Sequence, residues 1–197
     1  MTQQGSLFRA GPTHTKGERE EMDRYYTPDP LARALVGLLP INAAEVCLEP
    51  HVGGGAFARA LDTAKATVLV NDADPNAAGL QGRPRATVGS FLTWKPGRSD
   101  LTPLWVVGNP PYRDALDHIR HGVEVSTQHV AFLLRLAILE SAERAAFWSA
   151  HPCRAVWPLA QRPSFTGQGT DSCAYGWFWW DWSHEGPTRL MPPVVWR

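Results

Sequence analysis

Hydrophobic and polar residues alternate in blocks along this chain, and the spacing within each block predicts its secondary structure. Short apolar runs predict strands in the segments AEVCLEP, ATVLVND, RATVGSF and PLWVVGN. The segment AFARALDTAK has instead the spacing of apolar residues that is typical of a helix. Strands that alternate with helical segments at these intervals indicate βαβ units and a parallel sheet.

A helix is also predicted ahead of the first strand, in TPDPLARALVGLLP. Asp29 can cap its N-terminus with Pro30 at the first helical position, and Pro40 would end it. Its apolar face would consist of Leu31, Leu35, Leu38 and Leu39. The spacing thus gives this segment one apolar and one polar side.

The second half of the chain is less regular. ALDHIRHGVE and ESAERAAFWSAH predict helices, RAVWPL predicts a strand, and AYGWFWWDW predicts the last strand. HVAFLLRLAIL fits either a strand that runs into a loop or one buried helix. WFWWDW alternates between the two faces of its strand, so most of its rings are expected in the core. A stacking platform for nucleic acid is the alternative.

The chain divides into an arm and one domain. Residues 1–22 are polar and lack periodicity, which predicts a flexible N-terminal arm. Residues 23–197 contain no internal repeat and no boundary for a second domain. A single doubly wound sheet accounts for all of the predicted strands.

Composition narrows the class of protein. Lys plus Arg and Asp plus Glu each total 19, so nucleic-acid binding would need a local groove rather than a basic block. The three cysteines are widely spaced and predict reduced, buried thiols rather than a zinc site. No signal peptide opens the chain, and no apolar run approaches the ~20 residues that cross a bilayer. We therefore expect a cytoplasmic protein with neither a membrane contact nor a metal.

A glycine-rich turn follows the first predicted strand, in LEPHVGGGAF. Glycines permit positive φ and the close approach of a ligand, and the next helix offers free N–H groups. A tight turn that needs glycine for geometry alone is the alternative. Asp72 ends the next strand 19 residues after Gly53, near the ~20 expected for a carboxylate that binds a ribose. Helix capping is the alternative role of such an Asp, and the pairing with the glycine turn favours the ribose.

The fourth predicted strand ends in VVGNPPYRDA, which combines two acceptors and a ring. Asn109 supplies a side-chain oxygen, Pro110 supplies a carbonyl oxygen, and Tyr112 supplies a flat apolar face with a polar tip. Pro111 biases Pro110 towards an extended conformation. Two acceptors beside a ring suit a planar amine, because they bind both of its N–H protons while the ring stacks on it. A rigid turn after a strand is the alternative.

Two further pairs of residues carry weaker signals. Ser90 and Phe91 follow the third strand and could hold and cover an adenine, although a Phe after a strand is usually core. His118 and His121 stand at i and i+3 on a predicted helix, and we interpret them as part of a solvated face rather than a metal site.

These motifs occur in an order that resembles a known family. The chain resembles the S-adenosylmethionine-dependent amino-methyltransferases, and most closely the adenine-N6 DNA methyltransferases, including small phage and mobile-element ones. The resemblance covers residues 25 to about 182. It is carried by YYTP (25–28), LEPHVGGGAF (48–57), VNDADP (70–75), GSF (89–91), NPPY (109–112) and RPSFTGQGTDSCAYGWFWW (162–180).

The resemblance implies the fold and the cofactor. The fold would be a Rossmann-like class I methyltransferase fold, which is a doubly wound, mostly parallel sheet with an antiparallel last strand. The cofactor would be S-adenosyl-L-methionine. Thr27 and Pro28 would line its methionine end. The methionine and sulfonium part would be surrounded by Glu49, Pro50, Gly53 and Gly55. Asp72 would bind its ribose, and Ser90 and Phe91 its adenine. Ser90 stands where the family commonly has Asp.

The resemblance also implies the catalytic and substrate-binding residues. Asn109, Pro110, Pro111 and Tyr112 would form the catalytic motif. Tyr112 would stack on the target base, and Phe165 would be a second stacking partner. No residue would bind a metal.

The implied reaction is methyl transfer to the exocyclic N6 amine of adenine in DNA, in a restriction-modification or phage-like setting. The target base would be flipped out or unpaired. Because no separate target-recognition domain is predicted, a second subunit or partner protein could supply recognition of duplex or single-stranded DNA. The same motif logic also serves the amines of RNA bases and a protein glutamine amide. An alternative of another class is a non-catalytic partner subunit with this fold. The cofactor turn and NPPY are both intact, which argues against it, because a non-catalytic protein should have lost one of them.

Overall fold

The computed structural model describes residues 26–97, 101–165 and 172–196. The arm predicted over residues 1–22 lies outside the described residues, as do Tyr25 of the YYTP motif and residues 166–171 of the late segment. All of the predicted site residues fall within the described ranges.

Helices and strands alternate through most of the described chain. In chain order they are α1 (Asp29–Val36), β1 (Val46–Glu49), α2 (Ala56–Thr63), β2 (Thr67–Asp72), β3 (Ala86–Val88), β4 (Trp105–Gly108), α3 (Ala115–Val125), β5 (His129–Arg135), α4 (Ala142–Ala150), β6 (Ala155–Pro158), β7 (Tyr175–Asp181) and β8 (Arg189–Leu190). Short 3-10 helices span Ala78–Leu80, Phe91–Thr93 and Leu136–Leu139.

The strands of the described residues form one sheet in the order β3-β2-β1-β4-β5-β7-β6-β8. β1 pairs in parallel with β2 and β4, β2 with β3, and β4 with β5. β7 runs antiparallel to both β5 and β6. The predicted fold class, a doubly wound and mostly parallel sheet with a late antiparallel strand, is therefore confirmed.

One detail of the predicted sheet is wrong. AYGWFWWDW forms β7, but it is followed by β8, which pairs in parallel with β6 at the edge of the sheet. The two residues of β8 are both exposed. A strand this short has no alternation of buried and exposed positions, so the sequence pattern could not reveal it.

The first helix also differs from its prediction. Asp29 is the first residue of α1 rather than its N-cap, and Pro28 takes the cap position without a side-chain hydrogen bond. The Asp29 carboxylate instead accepts a hydrogen bond of 2.6 Å from the Arg59 guanidinium of α2. The helix ends at Val36, before Pro40. Asp29 therefore links α1 to α2, the helix that follows the glycine turn.

The core has the aromatic character that the sequence predicts. HVAFLLR forms β5, and the chain then turns into the 3-10 helix Leu136–Leu139, so the strand alternative is correct. Trp177 and Trp180 of β7 are 0% exposed, which confirms their place in the core. All three cysteines are free thiols. Within the described ranges, none of the helices has both the length and the apolar character that a membrane crossing requires.

The sheet order brings three predicted site residues to one edge. β1 lies between β2 and β4 and runs parallel to both, so the carboxyl ends of these strands lie side by side. Glu49 ends β1, Asp72 ends β2, and Asn109 directly follows β4. Ligands of open α/β sheets bind at this edge.

Candidate functional site

The glycine turn and the end of β2 are held together by backbone donors. The Gly53 N–H donates to Asp72 Oδ2 at 2.8 Å, and the Asp74 N–H donates to Asp72 Oδ1 at 2.9 Å. Gly53 has φ of 45°, in the left-handed region that favours glycine. The Asp72 carboxylate is thus fixed in place, with lone pairs left on both oxygens.

Gly79 packs against Gly55 of the same turn, a contact that no sequence motif predicts. A Cβ on Gly79 would lie 2.5 Å from Val52 Cγ2 and 2.9 Å from Gly55 Cα. The Gly79 N–H donates to the Gly53 carbonyl at 2.8 Å. Gly79 therefore has to be a glycine for the turn to keep its shape, although no motif includes it.

Tyr26 packs over the glycine turn. A Cβ built on Gly54 would lie 3.0 Å from Tyr26 Cδ1, and one built on Gly53 would lie 3.3 Å from Tyr26 Cε1. Tyr26 is nevertheless 47% exposed. Its ring thus covers the glycines from the solvent side.

Glu49 is a buried carboxyl group beside this turn. Its side chain is 2% exposed, and Oε2 has no hydrogen-bond partner among the described residues. Burial raises the pKa of Glu49 well above its ordinary value, while a backbone hydrogen bond from Ala58 and the charges of Arg83 and Arg59 act in the opposite direction. A cationic ligand would restore the charged form of this carboxylate.

Asn109 presents an acceptor at the end of β4. Its Nδ2 donates to Thr27 Oγ1 at 3.3 Å, while its Oδ1 is buried and has no hydrogen-bond partner in the described ranges. Pro110, which follows it, is buried, and Pro111 is exposed. Thr27, predicted to contact the cofactor, therefore also orients the amide so that its oxygen remains available.

Tyr112 belongs to an aromatic cluster at the same edge. Its ring centroid lies 5.4 Å from that of Tyr175 and 6.5 Å from that of Phe165, both tilted, and the Arg135 guanidinium carbon lies 4.7 Å from it. Burial raises the pKa of Tyr112 well above its ordinary value. Phe165 is only 6% exposed, so in this structure it supports the Tyr112 ring from within the core.

Two cavities meet around these residues. Cavity A, with about 700 Å³ of space that includes its open mouth, is lined by the predicted residues Gly53, Asp72, Asn109, Pro110, Pro111 and Tyr112. Cavity B, with about 490 Å³, is lined by the predicted residues Thr27, Glu49, Gly53 and Asn109. The cavities share Tyr26, His51, Gly53 and Asn109 in their walls. The carboxylate, glycine and NPPY motifs thus form one continuous site.

The other predicted residues do not line either cavity. The Pro50 carbonyl accepts a hydrogen bond of 3.2 Å from Asn71 Nδ2, and Phe91 is 2% exposed beneath His51. The Ser90 carbonyl accepts the Thr93 N–H. Among the described residues, those predicted to contact ligand but lining neither cavity are Pro28, Pro50, Gly55, Ser90, Phe91 and Phe165.

The interpretation of His118 and His121 as a solvated face is wrong. His118 is buried, its Nδ1 lies 2.8 Å from His51 Nε2, and its ring stacks on Phe91 at 5.9 Å. His121 is partly buried, and its Nε2 lies 2.9 Å from the Trp94 carbonyl oxygen. Desolvation lowers the pKa of His118 to about 4 and that of His51 well below its ordinary value, so both rings are neutral near pH 7. Spacing alone could not show which side of α3 faces the sheet.

Asn71 is a second residue that the sequence analysis did not single out. Its side chain is buried, and Nδ2 donates to the carbonyls of Pro50 and Gly89 at 3.2 and 2.9 Å. Its Oδ1 accepts a hydrogen bond from Thr87 Oγ1 at 2.9 Å. Asn71 therefore fixes the loops after β1 and β3. Only its position in VNDADP, next to Asp72, pointed to this region.

Comparison with known proteins supports the resemblance drawn from the motifs. No protein-family model matches the chain. A Type II methyltransferase of Thermus thermophilus is 36% identical over 95 residues, which cover 46% of this chain and 21% of that protein. The matched part thus spans about a fifth of the relative's length.

Solved structures share the fold over most of the chain. The M protein of the Type I restriction enzyme EcoKI superposes with a TM-score of 0.61 at 16% identity, covering 81% of this chain and 44% of that one. A putative RNA methyltransferase of Pyrococcus horikoshii superposes with a TM-score of 0.63 at 14% identity, covering 80% and 86%. The chain thus has the Rossmann-like fold of the class I S-adenosylmethionine-dependent methyltransferases, and in sequence it is similar to a Type II methyltransferase.

Proposed function

We propose that the protein transfers a methyl group from S-adenosylmethionine to the exocyclic N6 amine of adenine in DNA. The observation that carries the proposal is Asn109, whose buried Oδ1 has no partner among the described residues and lies in the wall shared by cavities A and B. At this junction the methyl group of a donor that extends from Glu49 in cavity B to Asp72 in cavity A would meet an amine held by the NPPY motif.

The residues of the site fit the cofactor. The buried Glu49 carboxyl group, whose Oε2 has no partner among the described residues, suits a cationic ligand, and the fixed Asp72 carboxylate suits two ribose hydroxyls. Gly53 lets the ligand approach the backbone closely. When bound, S-adenosylmethionine supplies an electrophilic methyl group.

The NPPY motif would make the amine a better nucleophile. The lone pair of the amine is delocalised into the base, so it reacts poorly when the amine is planar. Hydrogen bonds from its two protons to Asn109 Oδ1 and the Pro110 carbonyl favour a tetrahedral nitrogen and stabilise the positive charge that develops on it. Tyr112 would hold the base by stacking, which aligns the amine for attack.

Adenine in DNA is favoured over other planar amines by the sequence resemblance. The motif order is that of adenine-N6 DNA methyltransferases, and the similar Thermus thermophilus protein is a Type II methyltransferase. The fold itself does not separate DNA from RNA, because restriction-enzyme subunits and an RNA methyltransferase both share it. Since a paired base cannot reach these cavities, the target would be flipped out or unpaired. A partner subunit could supply sequence recognition. A role in restriction-modification would place the protein in the cytoplasm.

The first experiment identifies the acceptor. The purified chain is incubated with methyl-labelled S-adenosylmethionine and duplex DNA, single-stranded DNA, total RNA or cell protein, and the products are digested to identify the labelled residue. We expect label in N6-methyladenine from DNA. Label found only in RNA or only in protein would show that the substrate is RNA or protein rather than DNA. A protein that binds the cofactor but labels none of these acceptors would support a non-catalytic subunit.

The second experiment tests the role of Asn109. Asn109→Ala should lower the rate of methyl transfer at least a hundredfold, about the loss that follows removal of one preorganised hydrogen-bonding group. Its dissociation constant for S-adenosylmethionine should stay within about threefold of the wild-type value. The matched control is Asn42→Ala, whose amide bonds to Glu45 at the opposite end of β1. Near-normal turnover of Asn109→Ala would refute the mechanism.

A further inference from the structure

His51 lies in the wall shared by the two cavities, and the sequence motifs assign it no role. It follows Pro50 in the turn between β1 and α2. Its Nε2 lies 2.8 Å from His118 Nδ1, and its Nδ1 is buried without a partner among the described residues. A buried polar atom without a partner destabilises the free protein, and a ligand that bonds to it removes that cost.

His51 and Glu49 form a set of unpaired acceptors in the wall of cavity B. Glu49 Oε2, like His51 Nδ1, is buried and has no hydrogen-bond partner within the described residues. Asn109 Oδ1 is a third such atom, but the proposed function assigns it to the target amine. A carboxylate oxygen and an imidazole lone pair together suit a group that has several N–H donors and a positive charge. An α-ammonium group has both properties.

The tautomer of His51 determines whether its Nδ1 can accept a hydrogen bond. A neutral imidazole carries one N–H, so one of the two rings donates and the other accepts in the bond between them. A proton on His118 Nε2 leaves His118 Nδ1 as the acceptor. His51 then donates through Nε2 and keeps a lone pair on Nδ1.

We propose that His51 is a cofactor-binding residue, whose Nδ1 accepts a hydrogen bond from the α-ammonium group of S-adenosylmethionine next to Glu49. His118 is a positioning residue that selects the required tautomer of His51. Phe91 packs against both rings, at 5.2 and 5.9 Å, and holds the pair in place from below. The inference rests on the proposed function for the identity of the cofactor, and it concerns binding alone, since no proton leaves either ring.

The test compares two ligands on each variant by calorimetry. S-adenosylhomocysteine carries the α-ammonium group, and an analogue without the α-amino group does not. His51→Leu should bind S-adenosylhomocysteine about tenfold or more weakly, as expected for a lost hydrogen bond to a charged group, and the analogue with unchanged affinity. His51→Asn retains an oxygen near the Nδ1 position and should keep most of the affinity. His118→Leu should show a smaller loss that again depends on the ammonium group.

The control variant is His151→Leu, at the exposed histidine that directly follows α4, and its affinities should match the wild type. Unchanged binding of S-adenosylhomocysteine by His51→Leu, or an equal loss for both ligands, would overturn the assignment. Nitrogen-15 NMR of the ring atoms in the wild-type protein is a second measurement that needs no variant. It should find His51 protonated at Nε2, and the opposite tautomer would also overturn the assignment.

The outcome separates this inference from the proposed function. Ammonium-dependent binding through His51 in a protein that methylates no acceptor would leave the inference standing and refute the proposed function. If the protein methylates adenine but its His51 variants bind both ligands normally, the proposed function stands and the inference about His51 is refuted. A chain that binds neither S-adenosylmethionine nor S-adenosylhomocysteine would refute both.

Discussion

The position of Glu49 suits a cationic ligand but lowers the stability of the ligand-free protein. Its carboxyl group is buried, one oxygen lacks a partner among the described residues, and burial raises its pKa well above the ordinary value. A group whose pKa is higher in the folded state stabilises the fold at low pH, and that contribution is lost as pH rises through the folded pKa. Without a cationic ligand, Glu49 therefore destabilises the protein as pH rises above 4.5.

Replacement of Glu49 by Gln should separate stability from binding. The difference in the free energy of unfolding, Glu49→Gln minus wild type, should increase from pH 5 to pH 8, because the variant cannot ionise. Affinity for S-adenosylmethionine should fall, since the cationic ligand loses its carboxylate. Urea unfolding at several pH values and calorimetry measure the two effects. The control is Glu143→Gln on the exposed side of α4, which should show neither. A difference in unfolding free energy that does not change with pH would contradict this account of Glu49.

His118 should make the fold sensitive to acid. Desolvation lowers its pKa from 6.5 to about 4, so its contribution to stability is complete above pH 6.5 and is lost as pH falls towards 4. A pKa shift of this size corresponds to roughly 3 kcal/mol. Urea unfolding of His118→Asn should show a shallower decline between pH 6.5 and 4 than the wild type. Parallel declines would show that His118 does not carry the effect.

Some site residues could be predicted from the sequence because their chemistry is local to a motif. Asp72 ends β2 and Asn109 directly follows β4, and the parallel order of the sheet brings them together. His51 and His118 could not be paired in this way, because 67 residues separate them and their contact depends on the packing of α3. Gly79 is required only by its contact with the turn across the chain.

At the scale of elements, the strands that alternate with helices were predictable and the exceptions have physical causes. β5 leaves the pattern ambiguous because it is buried on both faces, so no polar position marks its period. β8 is too short to have a period. The preference for right-handed crossovers reduces the possible strand orders to a few but does not select one of them. It does not predict how the 3-10 helix Ala78–Leu80 packs against the glycine turn.

This packing predicts the effect of a methyl group at Gly79. In Gly79→Ala the new Cβ would meet Val52 and Gly55 at 2.5–2.9 Å, so the glycine turn must move. We expect a loss of about 1–3 kcal/mol in the free energy of unfolding and weaker binding of S-adenosylmethionine. Thermal unfolding and calorimetry would measure both. Gly97→Ala is the control, because a Cβ at Gly97 meets no atom within 4 Å. Wild-type affinity in Gly79→Ala would show that the turn need not keep its shape to bind the ligand.

At the scale of the whole molecule, equal numbers of acidic and basic residues limit how much binding energy phosphate contacts can supply. Affinity for DNA would then depend on the base that enters cavity A and contacts Tyr112 and Asn109 in its lining. Extrusion of a paired base costs a few kcal/mol, and little binding energy from the backbone is available to offset it. The pairing state of the target should therefore have a large effect on affinity.

We therefore expect an adenine opposite an abasic site to bind at least tenfold more tightly than the same adenine opposite thymine. The rate of methyl transfer at saturating DNA should be similar for both, because the base occupies the same site once it has been extruded. Fluorescence titration of matched duplexes gives the affinities, and single-turnover assays give the rates. A Tyr112→Ala variant should lose most of the preference, because the extruded base would no longer be held by stacking. Equal affinity of the wild-type protein for the two duplexes would mean that binding does not involve extrusion of the base.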